Sequence, residues 1–152
     1  MSDRAAIALF QPDIPGNTGT ILRMAACLGF DLHIIEPAGF RLDDKSLRRA
    51  GMDYLELATL TRHTDWESFC DWLAEEQRRL ILLSTQADQP YFQFDFSKRD
   101  CLIFGRESAG APQEVHERAD HRLTIPMPGE GRSLNLAVSV AMVAGEVLRQ
   151  SV

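Results

Sequence analysis

The residues predict an α/β domain: a largely parallel sheet flanked by helices. Three observations carry that reading. Short apolar runs alternate along the chain with segments whose apolar residues recur at helical spacing. Two late runs, Leu102-Ile103-Phe104 and Leu123-Thr124-Ile125, each open into a loop rich in Gly, Pro and small polar residues, then into a helix-like segment. No internal repeat, low-complexity tract or linker interrupts residues 1–152, which read as one domain.

Residues 5–10 (AAIALF) form a short apolar run, the pattern of a buried strand. Pro12 and the Pro15-Gly16 pair stop it. Asn17 fits a helix N-cap and Gly29 the residue that ends the helix, with Ile21, Met24, Ala25 and Leu28 as one apolar stripe between them. Arg23 lies off that stripe. Residues 32–35 are a second strand. Asp43 or Asp44 can cap a short helix ending before Gly51, with Leu47 turned inward. Residues 54–60 are ambiguous and compatible with a third strand. Thr64-Asp65-Trp66-Glu67 has the spacing of a capping box for a helix over 64–77. Leu80–Leu83 is another strand, 86–98 an irregular connection, and Cys101–Phe104 a strand. Pro112 opens a short helix at its first position. A strand at 123–125 and a last helix over about 133–149, capped by Ser133, complete the order. Ala137, Ala141, Ala144 and Gly145 give that helix a thin side.

Composition narrows the function classes. The chain is 45% hydrophobic and 25% charged, with a net charge of −6. A protein that coats nucleic acid through its overall field is excluded, although Arg41, Lys45, Arg48 and Arg49 form a local basic patch. No apolar run reaches the roughly 18 residues of a membrane span, and the N-terminus lacks the pattern of a signal peptide. The three cysteines form no CxxC pair, which suggests a cytoplasmic chain with its thiols buried as small hydrophobes. The four histidines lack metal-ligand spacing and read as surface or helix-terminal residues, so no metal site is expected. Neither GxGxxG, GxxxxGK[ST] nor GxSxG occurs. What converges at the strand ends is Asn17, Arg23, Arg106, Glu107, Arg132, Ser133 and Asn135.

Three stretches carry a resemblance. PDIPGNTGTILRMAA, LIFGRESAG and IPMPGEGRSLNLAVSVAMVAGE are similar to the three motifs of the SPOUT class of RNA methyltransferases, in order, and to its ribose 2′-O-methylating branch above all. LHIIEPAGFRLDDKSLRRAGMDY further resembles the small bacterial enzymes that methylate the wobble nucleotide of tRNA. The resemblance implies a C-terminal third threaded as a deep trefoil knot, a topology periodicity would never suggest. It implies S-adenosyl-L-methionine held by Leu83, Gly105, Ile125, Ser133 and Leu134. It implies a homodimer acting on tRNA, and transfer of a methyl group to a ribose hydroxyl with Arg23 as the key catalytic residue. Asn17, Glu107 and Asn135 would orient Arg23 or the nucleotide, and Arg41, Lys45, Arg48 and Arg49 would grip phosphate. Because arginine stays protonated, a cation beside a developing alkoxide is easier physics for Arg23 than a literal base. Some relatives carry a tyrosine just before the glutamate matching Glu146, where this chain has Gly145. A ribosomal RNA target, or a non-catalytic knotted RNA-binding module, is the alternative reading.

Overall fold

The computed structural model describes residues 2–152. Its elements are β1 (Ala6–Phe10), α1 (Pro15–Leu28), β2 (Asp31–Ile35), α2 (Asp44–Arg49), α3 (Tyr54–Ala58), β3 (Leu60–His63), α4 (Trp66–Glu76), β4 (Leu80–Leu83), β5 (Gln89–Pro90), β6 (Cys101–Phe104), α5 (Gln113–Arg118), β7 (His121–Thr124) and α6 (Leu136–Ser151). They build one sheet in the order β3-β2-β1-β6-β4-β7-β5. Every pairing is parallel, so all the C-terminal strand ends share one edge.

The apolar runs are buried on both faces because successive side chains point to opposite sides. Ile7 and Leu9 of β1, Ile81 and Leu83 of β4, and Leu102 and Phe104 of β6 pack with Ile21, Leu22 and Ala25 of α1 and Val140, Val143, Ala144 and Val147 of α6. Ala6, Ala8, Phe10, Leu80, Leu82, Cys101 and Ile103 face the other way, against Phe69 and Leu73 of α4 and Val115 of α5. The small Ala6 and Ala8 leave room on that face for the large rings of α4.

Several local expectations are corrected. Residues 54–60 begin as a helix, because the Asp53 side chain accepts from the Glu56 amide at 2.8 Å and caps α3; the strand starts at Leu60. Helix α1 starts at Pro15, whose fixed φ suits a first turn, so Asn17 stands inside the helix and not at its cap. The cap of α4 is Asp65, which accepts from the Ser68 amide, rather than Thr64. The cap of α6 is Asn135, which accepts from the Ala137 and Val138 amides, rather than Ser133. Pro112 precedes α5 as its cap position. The connection at 86–98 holds the two-residue β5 and a 3-10 turn at Tyr91–Gln93.

Cys101 is buried but Cys27 is exposed, so burial does not explain all three thiols. His33 and His63, expected on the surface, are buried on adjacent strands, with Nδ1 of one 2.8 Å from Nε2 of the other. Trp72 packs on His33 with ring centres 4.0 Å apart and planes tilted by 33°, and the Arg78 guanidinium lies over the Trp72 ring, 5.2 Å from its centre. Burial, then the neighbouring His63 and Arg78, push His33 down to about 3, and burial lowers His63 as well. Arg78 itself donates to the carbonyls of Ser2, Arg4 and Arg99, tying residues 2–4 to the start of β6.

Candidate active site

The loops after β1, β4, β6 and β7 meet at the C-terminal edge of the sheet, where a parallel fold leaves a crevice. They enclose a cavity of about 580 Å³, the size of an ordinary small-molecule site. Its wall is apolar at Leu83, Phe104, Ile125, Met127, Leu134 and Leu136, and polar at Asn17, Ser84, Thr85, Glu107, Ser133 and Asn135.

The loop after β6 makes one side of this cavity. Arg106 and Gly110 exchange backbone hydrogen bonds at 3.2 and 2.8 Å, so the loop doubles back on itself. The returning chain crosses Gly105 so closely that a Cβ there would stand 2.2 Å from the Ala111 nitrogen and 2.3 Å from the Gly110 carbonyl carbon. Only glycine lets the backbone close in this way.

That tight loop delivers Glu107 to the start of α1. Its carboxylate accepts from the Asp13 amide at 2.9 Å, the Ile14 amide at 3.1 Å and the Asn17 side-chain amide at 3.2 Å. Helix α1 has no side-chain cap of its own, and a carboxylate from 90 residues away sits where the helix dipole favours one. Asn17 passes the connection on: its Oδ1 accepts from Asn135 Nδ2 at 3.0 Å, while Asn135 Oδ1 caps α6. Asp13 returns the link to the β6 loop. It accepts from the Ser108 hydroxyl and lies 3.3 Å from Arg106, and these contacts, Ser108 first, hold its carboxyl below the usual value. Three strand-end loops are thus locked together by six side chains.

Arg23 is placed elsewhere. It does not line the cavity and touches none of Asn17, Glu107 or Asn135, so those residues do not orient it within the chain. Instead Nε and Nη2 of Arg23 each donate at 3.2 Å to the two carboxylate oxygens of Glu56, and Nη2 also reaches the Gly51 carbonyl at 3.3 Å. The Glu56 carboxylate raises the Arg23 guanidinium above its already high value and keeps it charged.

The expected cofactor residues Leu83, Gly105, Ile125, Ser133 and Leu134 all line the cavity, with Asn17, Glu107 and Asn135 beside them. The basic patch is exposed: Lys45, Arg48 and Arg49 extend from α2 into solvent, while Arg41 pairs with Asp43 at 2.9 Å. The sequence alone marks neither Asp13 nor Glu56 as a site residue. Asp53 and Glu56 do stand three apart, the spacing of a capped first turn, which was the available signal. Asp13 had none, since its partners are 93 or more residues away. Among the described residues no group of three or more His, Cys, Asp and Glu side chains is placed to hold a metal ion, and no helix is long and apolar enough to cross a membrane.

Residues 4–145 match the model of the SpoU rRNA methylase family. The chain is 56% identical over 144 residues to the tRNA (cytidine(34)-2′-O)-methyltransferase of Beijerinckia indica, covering 95% of this chain and 90% of that one. It is 43% identical to the enzyme of that name from Escherichia coli K12, over 95% and 92%. A solved structure from work on the 2-OH methylation of C/U34 on tRNA superposes with a TM-score of 0.88 at 40% identity, covering 99% and 98%. The SpoU methyltransferase AviRb from Streptomyces viridochromogenes, in complex with AdoMet, superposes with a TM-score of 0.85 at 27% identity, and the chain spans 59% of it.

Proposed function

The chain belongs to the SpoU rRNA methylase family, and from that premise we propose that it methylates the ribose 2′-hydroxyl of the wobble nucleotide, cytidine or uridine 34, of tRNA. The observation that carries this reading is the match along nearly the whole of both chains to tRNA (cytidine(34)-2′-O)-methyltransferases. A ribosomal RNA target has less support, since the rRNA methyltransferase of Sinorhizobium meliloti is 26% identical and is matched over only 58% of its length.

The cavity fits S-adenosylmethionine. Leu83, Phe104, Ile125 and Leu134 can enclose an adenine ring, backbone polar groups beside Gly105 and Ile125 can meet its edge, and Ser133 and Thr85 offer hydroxyls. When bound, the cofactor supplies an electrophilic methyl on a sulfonium. The protein's part is to position the ribose and stabilise the oxygen as its proton leaves. Arg23 suits the second task as a permanent cation that Glu56 holds in place. Glu107, Asn17 and Asn135 hold the cavity's loops in register. Arg41, Lys45, Arg48 and Arg49 take the RNA backbone.

Two features support a homodimer with a shared site. Arg23 stands outside the cavity of its own chain. Helix α6 leaves Val138, Met142 and Leu148 exposed together with Ala141 and Gly145, an apolar stripe with a thin middle. The knot rests on the family match, and the reading of residues 1–152 as one domain is supported by the seat of α6. It packs on α1, and Gln150 at its end both donates to the Phe94 carbonyl and accepts from the Phe96 amide of the β4–β6 connection.

The test is Arg23→Ala, assayed by methyl transfer to tRNA and by calorimetry with S-adenosylmethionine. Methyl transfer is expected to vanish with cofactor affinity nearly unchanged; near-normal turnover would sink the assignment. Mixed with a Ser133→Trp variant, which fills the cavity from an exposed loop position, Arg23→Ala is expected to regain activity if the site is shared between protomers.

A further inference from the structure

We infer that Glu56 is the positioning residue of the reaction: it fixes Arg23 so that one edge of the guanidinium is spent on the protein and the other is presented to substrate. The inference rests on Arg23 acting at the reacting hydroxyl.

Arg23 projects from α1 with 58% of its side chain exposed, whereas the Glu56 side chain is 8% exposed. An exposed arginine is ordinarily free to sample many rotamers. This one is clamped. Nε and Nη2 meet the two Glu56 oxygens side-on, the bidentate arrangement that fixes the plane of the guanidinium as well as its place. Nη1 makes no hydrogen bond among the described residues, so its two donors point away from the clamp.

Glu56 is itself held. Its amide is tied to Asp53 at 2.8 Å, its carbonyl accepts from the Thr59 hydroxyl at 2.8 Å, and the next residue, Leu57, packs on the core. The clamp also reaches the basic patch. The Gly51 carbonyl that accepts from Arg23 follows Arg48 and Arg49 at the end of α2, in a turn closed by Gly51 N to the Arg48 carbonyl at 3.0 Å and Met52 N to the Leu47 carbonyl at 3.1 Å. Gly51 takes φ +95, which an L side chain rarely adopts. One compact unit, α2 and α3 with their turn, therefore carries both the phosphate-gripping cations and the group that orients Arg23. RNA seated on α2 is seated against the same frame that aims the catalytic cation.

The experiment measures kcat and KM for tRNA and for S-adenosylmethionine in Glu56→Gln, with Arg23→Ala and the double variant alongside. Glu56→Gln is expected to lower kcat roughly 10- to 100-fold while both KM values stay within about 3-fold, because misaim affects the transition state and not ground-state binding. The double variant is expected to be no slower than Arg23→Ala. A normal kcat in Glu56→Gln beside an inactive Arg23→Ala overturns the role of Glu56 alone. A raised kcat overturns it too, marking Glu56 as a restraint on Arg23. An active Arg23→Ala overturns the reading on which the inference stands. Where Glu56→Gln fails to fold at the assay temperature, Glu56→Asp, which keeps the buried charge but withdraws it by one methylene, is expected to show the same loss of kcat. A normal kcat there overturns the proposal.

Discussion

Glu107 shows how much one side chain can organise. Its carboxylate takes two backbone amides before α1 and the Asn17 amide within it, so it closes the open end of a helix that lacks its own cap. Glu107→Gln keeps the shape but loses the charge and offers one acceptor oxygen where two were used. Hydrogen bonds to a charged group contribute about 1.5–3 kcal/mol each when buried and less at a half-buried site such as this, so a loss of about 1–2 kcal/mol is expected in urea unfolding. Cofactor affinity should fall with it, since the same residue lines the cavity. An unchanged midpoint together with unchanged cofactor affinity would show that the loops are locked by other contacts. Arg23 differs in kind: it contributes nothing to the cavity wall, and its value lies in being a cation held in place by Glu56.

At the scale of elements, the neighbouring strands β2 and β3 bring His33 and His63 together under α4. Both are disfavoured as cations: burial, then His63 and Arg78, push His33 down to about 3, and burial lowers His63. The unfolded chain takes up protons at these histidines below about pH 6.5 while the folded chain does not, so stability is present above that pH and falls as the pH drops toward 3. Carboxylates held below their ordinary values, such as Asp65 by the Ser68 amide and Glu146 by Arg149, contribute their own loss only nearer pH 4. Between pH 6.5 and 5 the histidine pair should therefore dominate. The melting temperature is expected to fall across that interval, and His33→Gln to flatten the slope while lowering stability at pH 7. An equally steep slope in that variant would place the proton uptake elsewhere.

For the whole molecule, the contrast is between a net charge of −6 and a basic helix beside Arg23. The overall field repels RNA, so association must depend on Arg41, Lys45, Arg48 and Arg49. If those four residues contact phosphate, the logarithm of tRNA affinity should fall against the logarithm of salt with a slope of about −3, at roughly 0.7–0.9 per phosphate contact. Arg41 is partly neutralised by Asp43, so Arg48→Ala should reduce the slope more than Arg41→Ala. A flat salt response would remove the patch from the RNA interface.

The fold class, most of the strands and the cofactor loops were legible in the chain. Continuous apolar runs and Gly-rich strand ends are local signals, and the three motifs extend them to a family. The cavity residues from Leu83 to Leu134 fell where they were expected because each sits at a strand end that the sequence itself marks. Capping was read less well: Asn135, Asp65 and a distant Glu107 took roles assigned to Ser133, Thr64 and Asn17. At α4 and α6 competing polar residues lie within two positions of the helix start and packing selects among them, whereas the carboxylate at α1 comes from 90 residues away. The pairs Arg23–Glu56, Asp13–Arg106 and His33–His63 were invisible, separated by 33, 93 and 30 residues. Sequence periodicity reaches along one element and no further, whereas a carboxylate finds its arginine only after the sheet has placed their two helices side by side.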